Sequence, residues 1–232
     1  KELGVSCIYL SPVFKAYSNH KYDTGDYMQV DEMFGGDAAL ENLFKEGKKR
    51  GIGVILDGVF NHVGDDSVYF DKYGKYGGNG AYSGKKSPYY NWFTFSSFPD
   101  VYEAWWGIGN LPRVTRTAAF RKLIYGKGGV VEKYMDMGAA GFRFDVVDEL
   151  ESDFVDKLCA KIKKHKKDAY IVGEVWEDAS DKIAYGERKQ YFWGKQLDAV
   201  MNYPLRSAII EYVMHGNVQL IAGVTNALYK HY

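Results

Sequence analysis

Residues 52–60 read IGVILDGVF and residues 141–147 read GFRFDVV. The first is a near-continuous apolar run of strand length, as expected of a strand covered on both faces in a parallel sheet. The second is also of strand length and carries an Arg and an Asp inside it. Upstream, residues 5–10 with Val13 and Phe14 form another apolar, partly β-branched run closed by Ser11-Pro12, which predicts a buried strand turning into a loop. Between the two lies a helical spacing, Leu40, Leu43, Phe44 and Gly47, with Asp37 as its expected cap and Lys48-Lys49-Arg50-Gly51 closing it with positive charge and a glycine. Downstream the alternation resumes. A helical stretch from about 118 to 137 is interrupted near 126–129, and Ser152-Asp153 opens a helix with Phe154, Leu158 and Ile162 on one face. YIVGEVW at 170–176 and LDAVMN at 197–202 are the following strands. Strand and helix in alternation imply an α/β fold built on a parallel sheet, either open and doubly wound or closed into a barrel.

Residues 63–117 break the repeat. They are rich in Gly, Tyr and Ser and hold 14 aromatic residues between Tyr69 and Trp106, so they are expected to form an inserted subdomain separating residues 1–62 from 118–232. Eight strand-helix units occupy about 250 residues, and five strands are visible here. A barrel reading therefore expects at least one unit before Lys1 and others after Tyr232. Composition narrows the partners. The 232 residues are 46% hydrophobic with 30 basic and 30 acidic side chains, enough for a full core and without the basic field that nucleic-acid binding needs. No apolar run approaches the roughly 18 residues of a membrane span. Cys7 and Cys159 cannot build a disulfide framework or a Cys-rich metal site and are expected to be small buried hydrophobes.

In a parallel sheet, functional groups gather at the carboxyl ends of the strands. Four polar clusters fall there: Asp57 with Asn61-His62, Arg143 with Asp145, Asp148-Glu149, and Glu174 with Trp176-Glu177. Arg143 and Asp145, two apart, leave the same face of their strand, with Phe142 and Phe144 turned away. A bare ion pair between apolar strands contributes little to stability and points to a site that needs an ionised carboxylate. The guanidinium is expected to lower the Asp145 pKa, and the apolar setting of Glu174 to raise its own. Two carboxyls in opposed environments are the pattern of a general acid beside a nucleophile. Each cluster alone reads equally as a cap, a solvated loop or a hydrogen-bonded core histidine; their convergence on one rim carries the argument.

These residues resemble the alpha-amylase family of glycoside hydrolases, family 13. DGVFNH at 57–62, GFRFDVVDE at 141–149 and GEVW at 173–176 are similar to its first three short motifs. NHKYDTGDY at 19–27 and LPRV at 111–114 are similar to two more, all in order. The resemblance implies a (β/α)8 TIM barrel, here incomplete and spanning about units two to six, with a subdomain inserted after barrel strand three. Glu149 and NHKYDT point to the neopullulanase, cyclomaltodextrinase and maltogenic amylase branch, from which Val147-Asp148 and Thr115 depart mildly.

Carried over residue by residue, the resemblance makes Asp145 the nucleophile, Glu174 the acid and base, and Arg143 the partner that keeps Asp145 ionised. Tyr22 would stack on the sugar at the cleaved bond, His62 would bind its hydroxyls, and Asp57 and Asn61 would orient that rim. Trp176, Glu149, Asn202 and the insertion's Trp105 and Trp106 would meet neighbouring sugars, since aromatic faces suit the apolar C–H surfaces of pyranoses. No cofactor is required, although family analogy implies a structural calcium ion near Asn61. The substrate implied is a maltooligosaccharide or other starch-derived glucan, cleaved at α-1,4 bonds with retention, with α-1,6 links, pullulan and cyclodextrins as open further candidates. A transglycosylase and a non-catalytic glucan-binding relative are the alternatives. The family's fourth motif, with a second Asp, is expected beyond Tyr232. The isolated piece is therefore expected to be inactive, with exposed sheet edges that pair with another copy.

Overall fold

A computed structural model describes residues 2–191 and 196–230. Its centre is a five-stranded parallel sheet in which sequence order is spatial order. The strands are β1 (Cys7–Tyr9), β2 (Gly53–Gly58), β3 (Gly141–Phe144), β4 (Tyr170–Gly173) and β5 (Ala199–Val200). Helices α1 (Gly36–Lys49), α2 (Ala118–Tyr125), α3 (Val130–Met137) and α4 (Ser152–His165) fill the connections from β1 to β4, and α5 (Tyr203–His215) and α6 (Val218–Tyr229) follow β5. Parallel neighbours joined by helical crossovers are the arrangement of part of a (β/α) barrel, whereas the described residues between β4 and β5 hold a short antiparallel ribbon, Ile183–Ala184 with Glu187–Arg188.

The doubly covered strands behave as their composition demands. Leu56, Phe142 and Phe144 are fully buried. Helix α4 buries Phe154, Leu158 and Ile162 at the predicted steps and adds Val155 and Cys159. Thr117 caps α2 by accepting from the Phe120 N–H, and the predicted interruption separates α2 from α3 at Gly126–Gly129. Gly141 is needed for the close approach of β3 to β4: at φ 154° a Cβ there would lie 1.8 Å from the Tyr170 carbonyl oxygen.

Four sequence expectations are corrected. Strand β1 is exposed, because it pairs only with β2 and no neighbour covers its outer edge among the described residues; Cys7 on it is exposed as well. Asp37 is not the cap of α1. It lies in the first turn, where it accepts from the Val30 N–H and pairs with Lys133 at 2.6 Å, tying α1 to α3. Leu43, expected on the buried face of α1, is 37% exposed.

Residues 63–117 rise from the carboxyl end of β2 as short turns and a two-stranded ribbon, Phe95–Ser97 with Val101–Tyr102. Their aromatics have two destinations. Phe70, packed against Phe93 and Tyr102, and Tyr69, stacked on Trp92 at 5.3 Å, form a core continuous with Tyr27 and Phe120 below. Trp105 and Trp106 turn instead toward the strand ends. Among the described residues, no helix is long and apolar enough to cross a membrane.

Candidate active site

Strand register assembles the charged centre. Asp57 on β2 stands opposite Arg143 on β3, and Phe144 stands opposite Gly173 on β4, so the next residues, Asp145 and Glu174, emerge side by side at the carboxyl ends. The Arg143 guanidinium then meets all three acids. One terminal nitrogen donates to Asp57 and to Asp145 at 2.8 Å, and the other lies 2.8 Å from Glu174 Oε2. All four side chains are buried or nearly so.

This sharing reverses the expected proton order. One guanidinium cannot neutralise three carboxylates, so the set favours retaining a proton. Burial pushes Asp145 up to about 8, reinforced by the neighbouring Asp57 charge and opposed by Arg143. Asp57 is also raised, chiefly by burial, although it accepts from the Tyr9 hydroxyl at 2.5 Å. Glu174 is subject to burial too, but the Val146 N–H at 3.0 Å, the Arg143 charge and the Trp176 and Tyr203 side chains hold its pKa below the usual value. The sequence treated Arg143 as the private partner of Asp145 and Glu174 as enclosed by apolar neighbours; the guanidinium fork and the three donors around Glu174 overturn both premises.

With its folded pKa above its unfolded value, Asp145 contributes stability present below about pH 4 and lost as pH rises through about 8. Asp145→Asn in the full-length polypeptide is therefore expected to raise Tm by about 2–4 °C at pH 8, with the gain vanishing near pH 4. Calorimetry at the two pH values checks this, and a lower Tm at pH 8 would contradict the shared-guanidinium picture.

Above the charges lies a cleft of about 490 Å³ whose walls bring together Tyr22, His62, Trp105, Asp145, Glu174 and Trp176. His62 is stacked on Trp105 with ring centres 5.0 Å apart and an interplanar angle of 21°. Neither of its ring nitrogens makes a well-formed hydrogen bond. Burial, opposed by the Tyr22 backbone, pushes its pKa down to about 4, so it stands neutral at pH 7. The Tyr22 ring also faces the Arg143 guanidinium at 6.0 Å.

The remaining sequence candidates lie elsewhere. Asn202 caps α5 by accepting from the Leu205 N–H at 3.0 Å and lines a separate hollow with Asp198 and Leu228. Glu149 accepts from Asn61 and from the indoles of Trp105 and Trp106. Asn61 is buried with its amide donating to Glu149 and its oxygen facing Arg116. A guanidinium on that oxygen is a poor neighbour for a cation, and no group of three or more His, Cys, Asp or Glu able to hold a metal occurs among the described residues. The site at Asn61 does not fit calcium. Sequence reading missed Tyr9, Tyr203 and Arg116. Tyr9 has a signal, a polar-tipped ring in an apolar strand, whereas Tyr203 reaches Glu174 only because α5 begins beside β4.

The description "Alpha amylase, catalytic domain" matches residues 1–232. An amylopullulanase of Thermoanaerobacterium thermosulfurigenes is 39% identical over 92% of this chain and 12% of its own length. A cyclomaltodextrinase of Thermoanaerobacter pseudethanolicus is 36% identical over 91% of this chain and 35% of its own. Among solved structures, the cyclic α-maltosyl-(1→6)-maltose hydrolase of Arthrobacter globiformis, in complex with that cyclic sugar, superposes with a TM-score of 0.84 at 28% identity, covering 99% of this chain and 50% of its own. The chain thus spans about an eighth to a half of the proteins it matches. With a likeness that runs through every strand bearing the cleft's acids, the chain belongs to the alpha-amylase family of glycoside hydrolases.

Proposed function

We propose that this chain carries the bond-cleaving centre of a retaining α-glucan hydrolase acting on α-1,4- and α-1,6-linked glucose oligosaccharides. One observation carries the reading: a single guanidinium bridges Asp145 and Glu174 at the floor of an aromatic-walled cleft. Two acids held on one fork are close enough to act on opposite ends of one glycosidic bond, for which retaining enzymes require carboxyls about 5–5.5 Å apart. The names of the amylopullulanase and cyclomaltodextrinase relatives, and the cyclic maltosyl-maltose bound by the solved neighbour, support the substrate class.

In the proposed reaction Tyr22 and neutral His62 hold the sugar ring over Asp145. Positive charge developing at the anomeric carbon favours ionised Asp145, so the proton of the acid set comes to reside on Glu174 as the bond stretches. Glu174 passes it to the glycosidic oxygen, the carbon–oxygen bond breaks, and an Asp145 carboxylate oxygen bonds to the carbon. Glu174, now ionised, takes a proton from water, whose oxygen attacks the same carbon and releases Asp145. Two displacements leave the α configuration unchanged. The test is proton NMR of maltohexaose digested by the full-length polypeptide: α-anomeric product is expected first, and β product first would contradict the covalent step.

A further inference from the structure

We infer that Glu149 is a positioning residue that braces the leaving-group side of the cleft by gathering two indoles of the inserted subdomain onto one carboxylate. The inference rests on the hydrolase reading above. Glu149 Oε1 accepts from Trp105 Nε1 at 2.9 Å and from Trp106 Nε1 at 3.0 Å, and Oε2 accepts from Asn61 Nδ2 at 3.0 Å. An ionised carboxylate offers about four acceptor positions. These donors take three of them, so the carboxylate is committed to Asn61 and the two indoles.

Backbone conformation points to the same group. Trp106, Val146 and Tyr185 are three of the five non-glycine residues with positive φ among the described residues, at 50°, 38° and 52°. With Glu149 they line one hollow of about 250 Å³. Left-handed backbone at bulky and β-branched residues is uncommon and persists where surrounding contacts enforce it. At Trp106 the turn aims two successive indoles at a single oxygen. The consequence is a fixed wall: Trp105 lies against His62, and Trp106 meets Trp176 edge to face at 5.4 Å.

The hollow shares Val146, Glu174 and Trp176 with the main cleft but lacks Asp145, Tyr22 and His62. A group there lies beyond the proton donor and away from the nucleophile, which is where the departing sugar belongs. Glu149 therefore governs recognition of a leaving-group pyranose through the two indoles.

The test compares maltohexaose, whose leaving group is a sugar, with α-maltosyl fluoride, whose leaving group is fluoride, in the full-length polypeptide. Glu149→Leu is expected to lower kcat/KM for maltohexaose about 10-fold, mainly through KM, and that for α-maltosyl fluoride less than about threefold. Glu149→Gln, whose amide oxygen still accepts from both indoles, is expected to restore maltohexaose to within about threefold. Should Glu149→Leu fail to fold, Trp106→Phe, which keeps the ring and loses the N–H, carries the test with the same bias between substrates. Equal losses on both substrates, or no loss on either, would overturn the brace. If the unaltered polypeptide cleaves neither substrate, the hydrolase reading fails. Calorimetric affinity for maltohexaose then decides on Glu149 alone, with about 10-fold weakening in Glu149→Leu supporting the brace and unchanged affinity overturning it.

Discussion

Asp145→Asn in the full-length polypeptide is expected to lower kcat for maltohexaose by at least about 10³-fold while KM changes little. The amide keeps the shape of the carboxyl and can still accept from Arg143 Nη1, the contact made at 2.8 Å in the parent. It cannot form the bond to the anomeric carbon. In the proposed reaction binding is spread over Tyr22, His62, Trp105 and Trp176, which line the cleft and which the substitution leaves unchanged. Loss of rate with preserved binding is the signature of an interaction realised only in the transition state. Initial rates over a range of maltohexaose concentrations check it, and near-normal turnover would remove Asp145 from the reaction.

The second large effect is expected at Glu174, with a different dependence on substrate. Glu174→Gln removes the proton that a sugar leaving group needs, so kcat for maltohexaose is expected to fall by roughly 10²–10⁴-fold. Fluoride departs without that proton, so the first step on α-maltosyl fluoride should be lowered far less. Burst kinetics with the fluoride separate the steps: a fast first turnover followed by slow release is expected, because the glutamine cannot draw a proton from water. The amide also loses one of the three acidic partners of Arg143. The optimum of the variant should therefore shift toward lower pH, since Asp145, now with less competing negative charge around it, ionises more readily.

These expectations start from residues that were plain in the sequence. The apolar runs around Asp57 and Arg143 specify strands because their length and β-branched content suit nothing else, and the two-residue step between Arg143 and Asp145 fixes a common face whatever the topology. That Glu174 joins them is also legible, since it follows an apolar run at another strand end. Register is not legible. Nothing in the sequence states that Gly173 stands opposite Phe144, and this pairing sets Glu174 within reach of the Arg143 fork. The expected proton order failed for that reason: it assigned one cation to one anion, and pairing across three strands shares the cation among three.

Exposure of β1 was hidden in a similar way, because an apolar run does not say how many neighbours cover it. Asn202 shows the converse limit. A polar residue at a strand end reads as a ligand, but Pro204 and the helix that follows make it a cap. Glu149 is intermediate: its place on the rim was legible, while its partners, Trp105 and Trp106, lie 44 and 43 residues earlier and are joined to it only by the folding of the insertion.

In the proposed reaction Asp145 becomes bonded to the sugar while Glu174 moves the proton. Incubating the full-length polypeptide with a 5-fluoro-α-glucosyl fluoride, whose fluorine slows release of the bound sugar, and mapping the modified peptide by mass spectrometry after digestion reads out that bond. One added fluoroglucosyl group is expected on Asp145 and absent in Asp145→Asn. Label on Glu174 or Asp57, or turnover of maltohexaose with no label on any carboxyl, would contradict it.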